Sequence, residues 1–220
     1  AAYRKAIELG CDFVEVDLRE TKDGAIVSIH NGTVDHYTNG VTGSVKDFTL
    51  AELKAMDIGS RVGPEWAHER IPTFEEILDL CAGKIGLYID LKAAPVDKVV
   101  AALKAHDMAR RAVWYANVVE LRRMKETCPE CIAMPDPGPE KYLPRLFELL
   151  HPTVVASSWD EISPTFAAAC HDAGALLIVD EGNPKQWEEG LSWGIDGIQT
   201  DHPETLIAFL EERAKKGGKP

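Results

Sequence analysis

The chain has 220 residues, 45% of them hydrophobic, five cysteines, a formal net charge of −12 and a sequence pI near 5.0. That apolar content can bury one sizeable core, and the acidic balance excludes a general nucleic-acid surface, which needs clustered Lys and Arg against phosphate. No apolar run reaches the roughly 18 residues that span a bilayer, so no transmembrane segment is expected, and scattered cysteines in an odd number argue against a disulfide scaffold.

In chain order, apolar runs predict strands at 12–19, 26–30, 86–92, 111–116, 131–134, 153–158, 175–180 and 195–200, with helical patterns between most of them. Thr73-Phe74-Glu75-Glu76 after Pro72 starts one helix, and Pro95 heads another over 95–106. Ser163-Pro164 opens 164–173 with Gly174 as its stop, and Pro203 opens 203–216. Strands separated by helices favour a parallel sheet. This many repeats in one domain favour an α/β, TIM-like (β/α)8 barrel over an open doubly wound sheet, whose glycine-rich phosphate turn has no match here. Residues 1–220 therefore read as one domain.

Two segments break the barrel's rhythm. Between Leu18 and Ala25 the chain is too short for a crossover helix, which takes roughly a dozen residues or more. Asp23-Gly24 instead reads as a tight turn, so the barrel is expected to be distorted near its second and third strands. Segment 31–72, rich in Gly, Thr, Asp and His with one short helical run at 49–56, is too long for a simple connection. It starts directly after His30 and reads as a lid-like insertion.

The chemistry sits at strand ends. In an extended chain, residues two apart share a face, so Glu15 and Asp17 direct two carboxylates into one space while Val14, Val16 and Leu18 pack the other way. Along Gly86–Lys92, Tyr88, Asp90 and Lys92 share a face, which puts a third acid beside a positive charge. Glu15, Asp17 and Asp90 are candidate ligands of a hard divalent cation, magnesium or calcium rather than zinc because every donor is oxygen. Lys92 is the candidate phosphate-binding group. His30, which ends a strand and enters a glycine-containing loop, is the candidate catalytic acid or base, since an imidazole with a pKa of about 6.5 exchanges protons near neutrality.

Other candidates have plainer readings. His36, His68, His106, His151, His171 and His202 read as structural. Asp180, Glu181 and Asp201 also fall at strand ends, where they read as groups supporting the site ligands or as helix caps, with capping favoured for Asp201. Cys128-Pro129-Glu130-Cys131 reads as two small residues at a helix-to-strand turn rather than a metal or redox pair, and Asn31-Gly32-Thr33 as an accidental glycosylation sequon.

A run of motifs in order over nearly the whole chain resembles the glycerophosphodiester phosphodiesterase family. They are Ala2-Tyr3-Arg4-Lys5-Ala6-Ile7-Glu8-Leu9-Gly10, Glu15-Val16-Asp17, Thr21-Lys22-Asp23-Gly24, the strand ending at His30, Ile71-Pro72-Thr73-Phe74-Glu75-Glu76, Asp90-Leu91-Lys92 and Gly194-Ile195-Asp196-Gly197-Ile198-Gln199-Thr200-Asp201. The resemblance implies a TIM-like barrel that hydrolyses a small-molecule glycerophosphodiester to glycerol 3-phosphate and an alcohol with a divalent cation. Position by position, Glu15 and Asp17 match the family's metal-binding pair, His30 its second catalytic histidine, and Lys92 the lysine beside its third acid.

Departures from the family pattern shape the remaining expectations. Asp90 stands where the family usually has glutamate. The opening His-Arg-Gly strand and Pro-Glu-Asn-Thr turn have no counterpart, so the first strand is expected to be missing and the chain as given inactive, with any signal peptide upstream of Ala1. Val179-Asp180-Glu181-Gly182-Asn183 replaces a Trp-Thr-Val-Asn run, which removes an aromatic wall and leaves the alcohol unassigned, along with oligomeric state and compartment. Two other readings stand beside the hydrolase: an inactive barrel that binds a phosphodiester or protein partner, and a related lysophospholipase D or phospholipase C-like enzyme.

Overall fold

The apolar runs become alternating strands and helices in the computed structural model, which describes residues 1–217. Two compact units result: Ala1–Trp114 with Arg123–Cys131, and Tyr115–Arg122 with the chain from Ile132 onward.

The first unit opens on helix α1 (Ala2–Leu9), followed by strands β1 (Phe13–Glu20) and β2 (Ile26–Ser28). These strands form the expected tight antiparallel pair, with Leu18 opposite Ser28. Gly24 turns the chain at φ +84°, a conformation that L side chains rarely adopt. Thr21 donates to Asp23 across the turn at 2.6 Å, and Asp23 in turn accepts from the Leu50 amide at 2.9 Å. Helices α2 (Leu50–Ala55) and α3 (Phe74–Cys81) each start with a reciprocal Thr–Glu cap, Thr49 with Glu52 and Thr73 with Glu76.

Strand β3 (Gly86–Ala93), helix α4 (Val96–Ala105) and strand β4 (Ala112–Tyr115) follow, and the strands continue the sheet in the order β2-β1-β3-β4. Val16, Leu18, Leu87 and Ile89 are fully buried, as are Leu78 of α3 and Val99 and Leu103 of α4. Each such side chain stabilises the fold by about 1.5–3 kcal/mol relative to exposure. One face of β1 and β3 is thus committed to packing, leaving the acids on the other. Segment 31–72 builds a core of its own on β2, where Val34, Val45, Leu53, Met56 and Ile71 cluster with Val27 and Ile29.

Helix α5 (Val118–Thr127) leads into the turn before β5 (Ile132–Ala133), where Cys128 and Cys131 stand as expected but joined in a disulfide. The turn brings their Cα atoms to 5.5 Å, within the range a disulfide spans. Lys125 closes it further, donating to the Pro129 and Cys131 carbonyls at 2.8 Å each. Two residues read from spacing as separate therefore form a cross-link.

The second unit continues as α6 (Leu143–Leu150), β6 (Val154–Ser157), α7 (Pro164–Asp172), β7 (Leu176–Asp180), α8 (Pro184–Trp193), β8 (Gly197–Gln199) and α9 (Pro203–Lys215). Its strands β6, β7 and β8 run parallel in sequence order, as the alternating helices require. Val155, Leu177 and Val179 pack with Phe166, Ala167 and Cys170 of α7. Ser163 caps that helix by accepting from the Phe166 amide at 3.0 Å. Asp201 does not cap α9: Pro203 sets the first helical turn, so His202 holds the cap position and Asp201 lies one residue outside it. Among the described residues, no helix is long and apolar enough to cross a membrane.

Candidate active site

Parallel pairing of β1 with β3 sets Glu15 opposite Tyr88, Val16 opposite Ile89 and Asp17 opposite Asp90. The register then shifts: Leu18 pairs with Leu91, but Arg19 pairs with Ala93, so Lys92 is the extra residue of a bulge. Lys92 Nζ lies 2.6 Å from Asp90 Oδ2 and 3.5 Å from Asp17 Oδ1. Glu15, Asp17 and Asp90 each offer one oxygen, and these three oxygens lie within 4.8 Å of one another.

Crowding three carboxylates has an electrostatic consequence. Burial, then the charges of Asp17 and Asp90, pushes the Glu15 pKa up to about 8. The Asp90 carboxyl is also raised, by burial first, against the hydrogen bond and charge of Lys92. Burial acts downward on Lys92, but the hydrogen bond and charge of Asp90, with Asp17, outweigh it and the net shift is upward. Tyr3 of α1 is pushed up to about 12, chiefly by burial, with Asp17 and Glu15 acting the same way, so its hydroxyl stays neutral where it meets Ser28 Oγ at 2.7 Å.

Asp17 Oδ1 is buried with no hydrogen-bond partner. Its charged neighbour is Lys92 Nζ at 3.5 Å, an ion pair without a hydrogen bond, and a buried carboxylate oxygen lacking a hydrogen bond carries a cost that a bound cation removes. With three convergent oxygens and no nitrogen or sulfur, the donor set fits a hard divalent cation.

His30 lies two residues beyond β2, where the antiparallel pairing runs on: the Ile29 amide donates to the Asp17 carbonyl at 2.9 Å. The His30 charge is among those acting on Asp90, which ties it to the acid cluster. Its ring Nδ1 is 2.9 Å from Asn31 Oδ1. Arg19 holds the same stretch of backbone, its Nε donating to the Ile29 and His30 carbonyls at 3.2 Å each and its Nη2 to the His30 carbonyl at 2.7 Å. Neither Asn31 nor Arg19 was among the candidates from sequence. Arg19 continues the alternation of Glu15 and Asp17, which could have singled it out, whereas Asn31 was absorbed into the glycosylation sequon.

The acids flagged in the second unit have separate settings. Asp180, at the end of β7, is raised by burial and, more weakly, by Asp136. Glu181 follows in a left-handed conformation at φ 61°, its amide donating to the Gln199 carbonyl at 2.7 Å. Trp159 lies so close against Gly182 that a Cβ there would collide with the indole. The loop after β6 thus brings an aromatic ring to a segment that carries none in its own sequence.

The Glycerophosphoryl diester phosphodiesterase family matches residues 1–205. A glycerophosphodiester phosphodiesterase of Caldanaerobacter subterraneus is 35% identical over 234 residues, covering 99% of this chain and 92% of that relative. One from Bacillus subtilis is 28% identical over 248 residues, covering 98% of this chain and 80% of that protein. Among solved structures, a glycerophosphodiester phosphodiesterase from Agrobacterium tumefaciens is 25% identical with a TM-score of 0.84, covering 93% of this chain and 90% of that one. An Oleispira antarctica phosphodiesterase in complex with the product sn-glycerol-3-phosphate gives a TM-score of 0.88 at 22% identity, covering 96% and 89%. These likenesses show the α/β, TIM-like fold expected from the sequence. With residues 1–205 matched and a relative 35% identical across almost the full length of both proteins, the chain belongs to the glycerophosphoryl diester phosphodiesterase family.

Proposed function

We infer that the native protein carrying these residues hydrolyses glycerophosphodiesters to glycerol 3-phosphate and an alcohol. The observation that carries the reading is the convergence of Glu15, Asp17 and Asp90 beside Lys92, in a chain matched to a phosphodiesterase family over residues 1–205. Glu15, Asp17 and Asp90 would hold magnesium or calcium, which when bound supplies positive charge to the phosphate oxygens.

Lys92 binds a non-bridging phosphate oxygen and offsets the charge that builds there as the new bond forms. Attack by water, whose proton passes to solvent, gives glycerol 3-phosphate directly; attack by the substrate's own glycerol hydroxyl, which likewise yields its proton to solvent, leaves a cyclic phosphate that water then opens to glycerol 3-phosphate. As the phosphorus–oxygen bond to the alcohol breaks, His30 protonates the departing oxygen. Segment 31–72, which starts at the residue after His30 and carries its own apolar cluster, serves as a cover over the substrate. The single stretch of the family match supports treating residues 1–220 as one phosphodiesterase domain.

The test incubates the native protein carrying these residues with glycerophosphocholine, glycerophosphoethanolamine and lysophospholipids, with magnesium and calcium in parallel. Glycerol 3-phosphate released from the first two is expected. Cleavage of lysophospholipids alone points to a lysophospholipase D, and cleavage of none overturns the hydrolase. His30→Ala is expected to lower turnover by roughly 10²–10⁴-fold, least for nitrophenyl esters, whose leaving group needs no proton.

A further inference from the structure

We propose that Asn31 is a positioning residue for the reaction: its side-chain carbonyl takes the Nδ1 proton of His30 and so presents Nε2 as the ring atom that exchanges a proton with substrate. The inference rests on the reading of His30 as the proton donor and adds the group that sets which of its nitrogens does the work.

An amide oxygen only accepts, so the 2.9 Å contact between Asn31 Oδ1 and His30 Nδ1 requires the proton on Nδ1. In a neutral imidazole the hydrogen bond made by one nitrogen sets the state of the other. Nε2 then carries the lone pair in the neutral ring and the transferable proton in the imidazolium. Asn31 orients the ring without adding charge, unlike a carboxylate, which would favour the imidazolium and hold its proton back.

The backbone around Asn31 is held firmly enough for this role. Its amide donates to the Tyr37 hydroxyl at 3.1 Å. On one side, three Arg19 hydrogen bonds fix the carbonyls of Ile29 and His30. On the other, the Gly32 carbonyl accepts from the Val45 amide at 3.0 Å and from Ser44 Oγ at 3.3 Å. A side chain rooted between such anchors keeps its oxygen beside the ring. The orientation is thereby built into the fold before substrate arrives.

The test combines nitrogen-15 shifts of the His30 ring with kinetics on two leaving groups. The ring signal is assigned by its disappearance in His30→Ala. In the unsubstituted protein the neutral ring is expected as the Nδ1–H form, and Asn31→Ala should mix the two tautomers. Turnover of glycerophosphocholine by Asn31→Ala should fall about 10–100-fold with KM little changed, and hydrolysis of a nitrophenyl ester should fall much less. Asn31→Asp, which keeps an oxygen in place, should restore the Nδ1–H form. A neutral ring found as the Nε2–H form, or a tautomer and turnover that Asn31→Ala leaves unchanged, overturns the proposal. The reading of His30 fails separately, if His30→Ala itself lowers both substrates equally.

Discussion

Asp17 and Asp90 stand opposite one another across the parallel pairing of β1 and β3, and Lys92, displaced by one bulge, places its ammonium 2.6 Å from the second and 3.5 Å from the first. A positive charge lodged among three acids both holds them together and competes with any cation they bind.

Opposite signs are therefore expected for Lys92→Met. Turnover should fall by roughly 10²–10³-fold, because charge developing on phosphate loses its fixed partner. Affinity for magnesium or calcium should rise, because the competing ammonium has gone. Steady-state kinetics and calorimetric titration measure the two. Weaker cation binding together with lost turnover would show that Lys92 mainly orders the acids.

Asp17→Asn removes the ionisable group of one of three acids while keeping the side chain's shape. Turnover should disappear and cation affinity should drop, since one of the convergent oxygens no longer carries charge. The metal-free protein should melt no lower than the original, as the substitution relieves crowding. Undiminished hydrolysis by the original protein in excess chelator would sink the metal assignment altogether.

Stability of the metal-free protein should depend on pH through Glu15. Its pKa is about 8 in the folded chain against 4.5 for an ordinary glutamate, so the folded state holds the proton more tightly. The resulting stability is fully present below pH 4.5 and is lost as pH rises through about 8. Melting temperature in chelator should fall across that window. Glu15→Gln should flatten the slope, and so should saturating divalent cation, whose affinity should climb over the same range as the proton is displaced. A slope unchanged in Glu15→Gln would place the titrating group elsewhere.

Thiol titration in denaturant checks the cross-link. Without reductant, Cys11, Cys81 and Cys170 should react, giving three equivalents. After reduction all five cysteines should. Five equivalents before reduction would show Cys128 and Cys131 unlinked.

What the sequence determined by itself is local and periodic. Alternation along 12–19 and 86–92 assigns Glu15, Asp17, Asp90 and Lys92 to polar strand faces, because a pleated strand turns successive side chains to opposite sides. Apolar runs mark the eight strands of the described residues, and Thr73 and Ser163, through contacts within one turn, and Pro203, through its fixed backbone angle, mark helix starts. Only the tertiary structure decided which residues of different strands meet. Nothing within either run states that Asp17 lies opposite Asp90 or that a bulge advances Lys92 toward both, since register depends on how two separate strands are packed. For the same reason Arg19 reaching the His30 carbonyl stayed hidden; Asn31 meeting the His30 ring and Cys128 bonding Cys131 are short-range contacts that side-chain orientation and the local turn decide, and Pro203 at the first helical position gave the cap to His202 rather than Asp201. Strand faces follow from covalent geometry alone, whereas contacts follow from where the buried face of each element comes to rest.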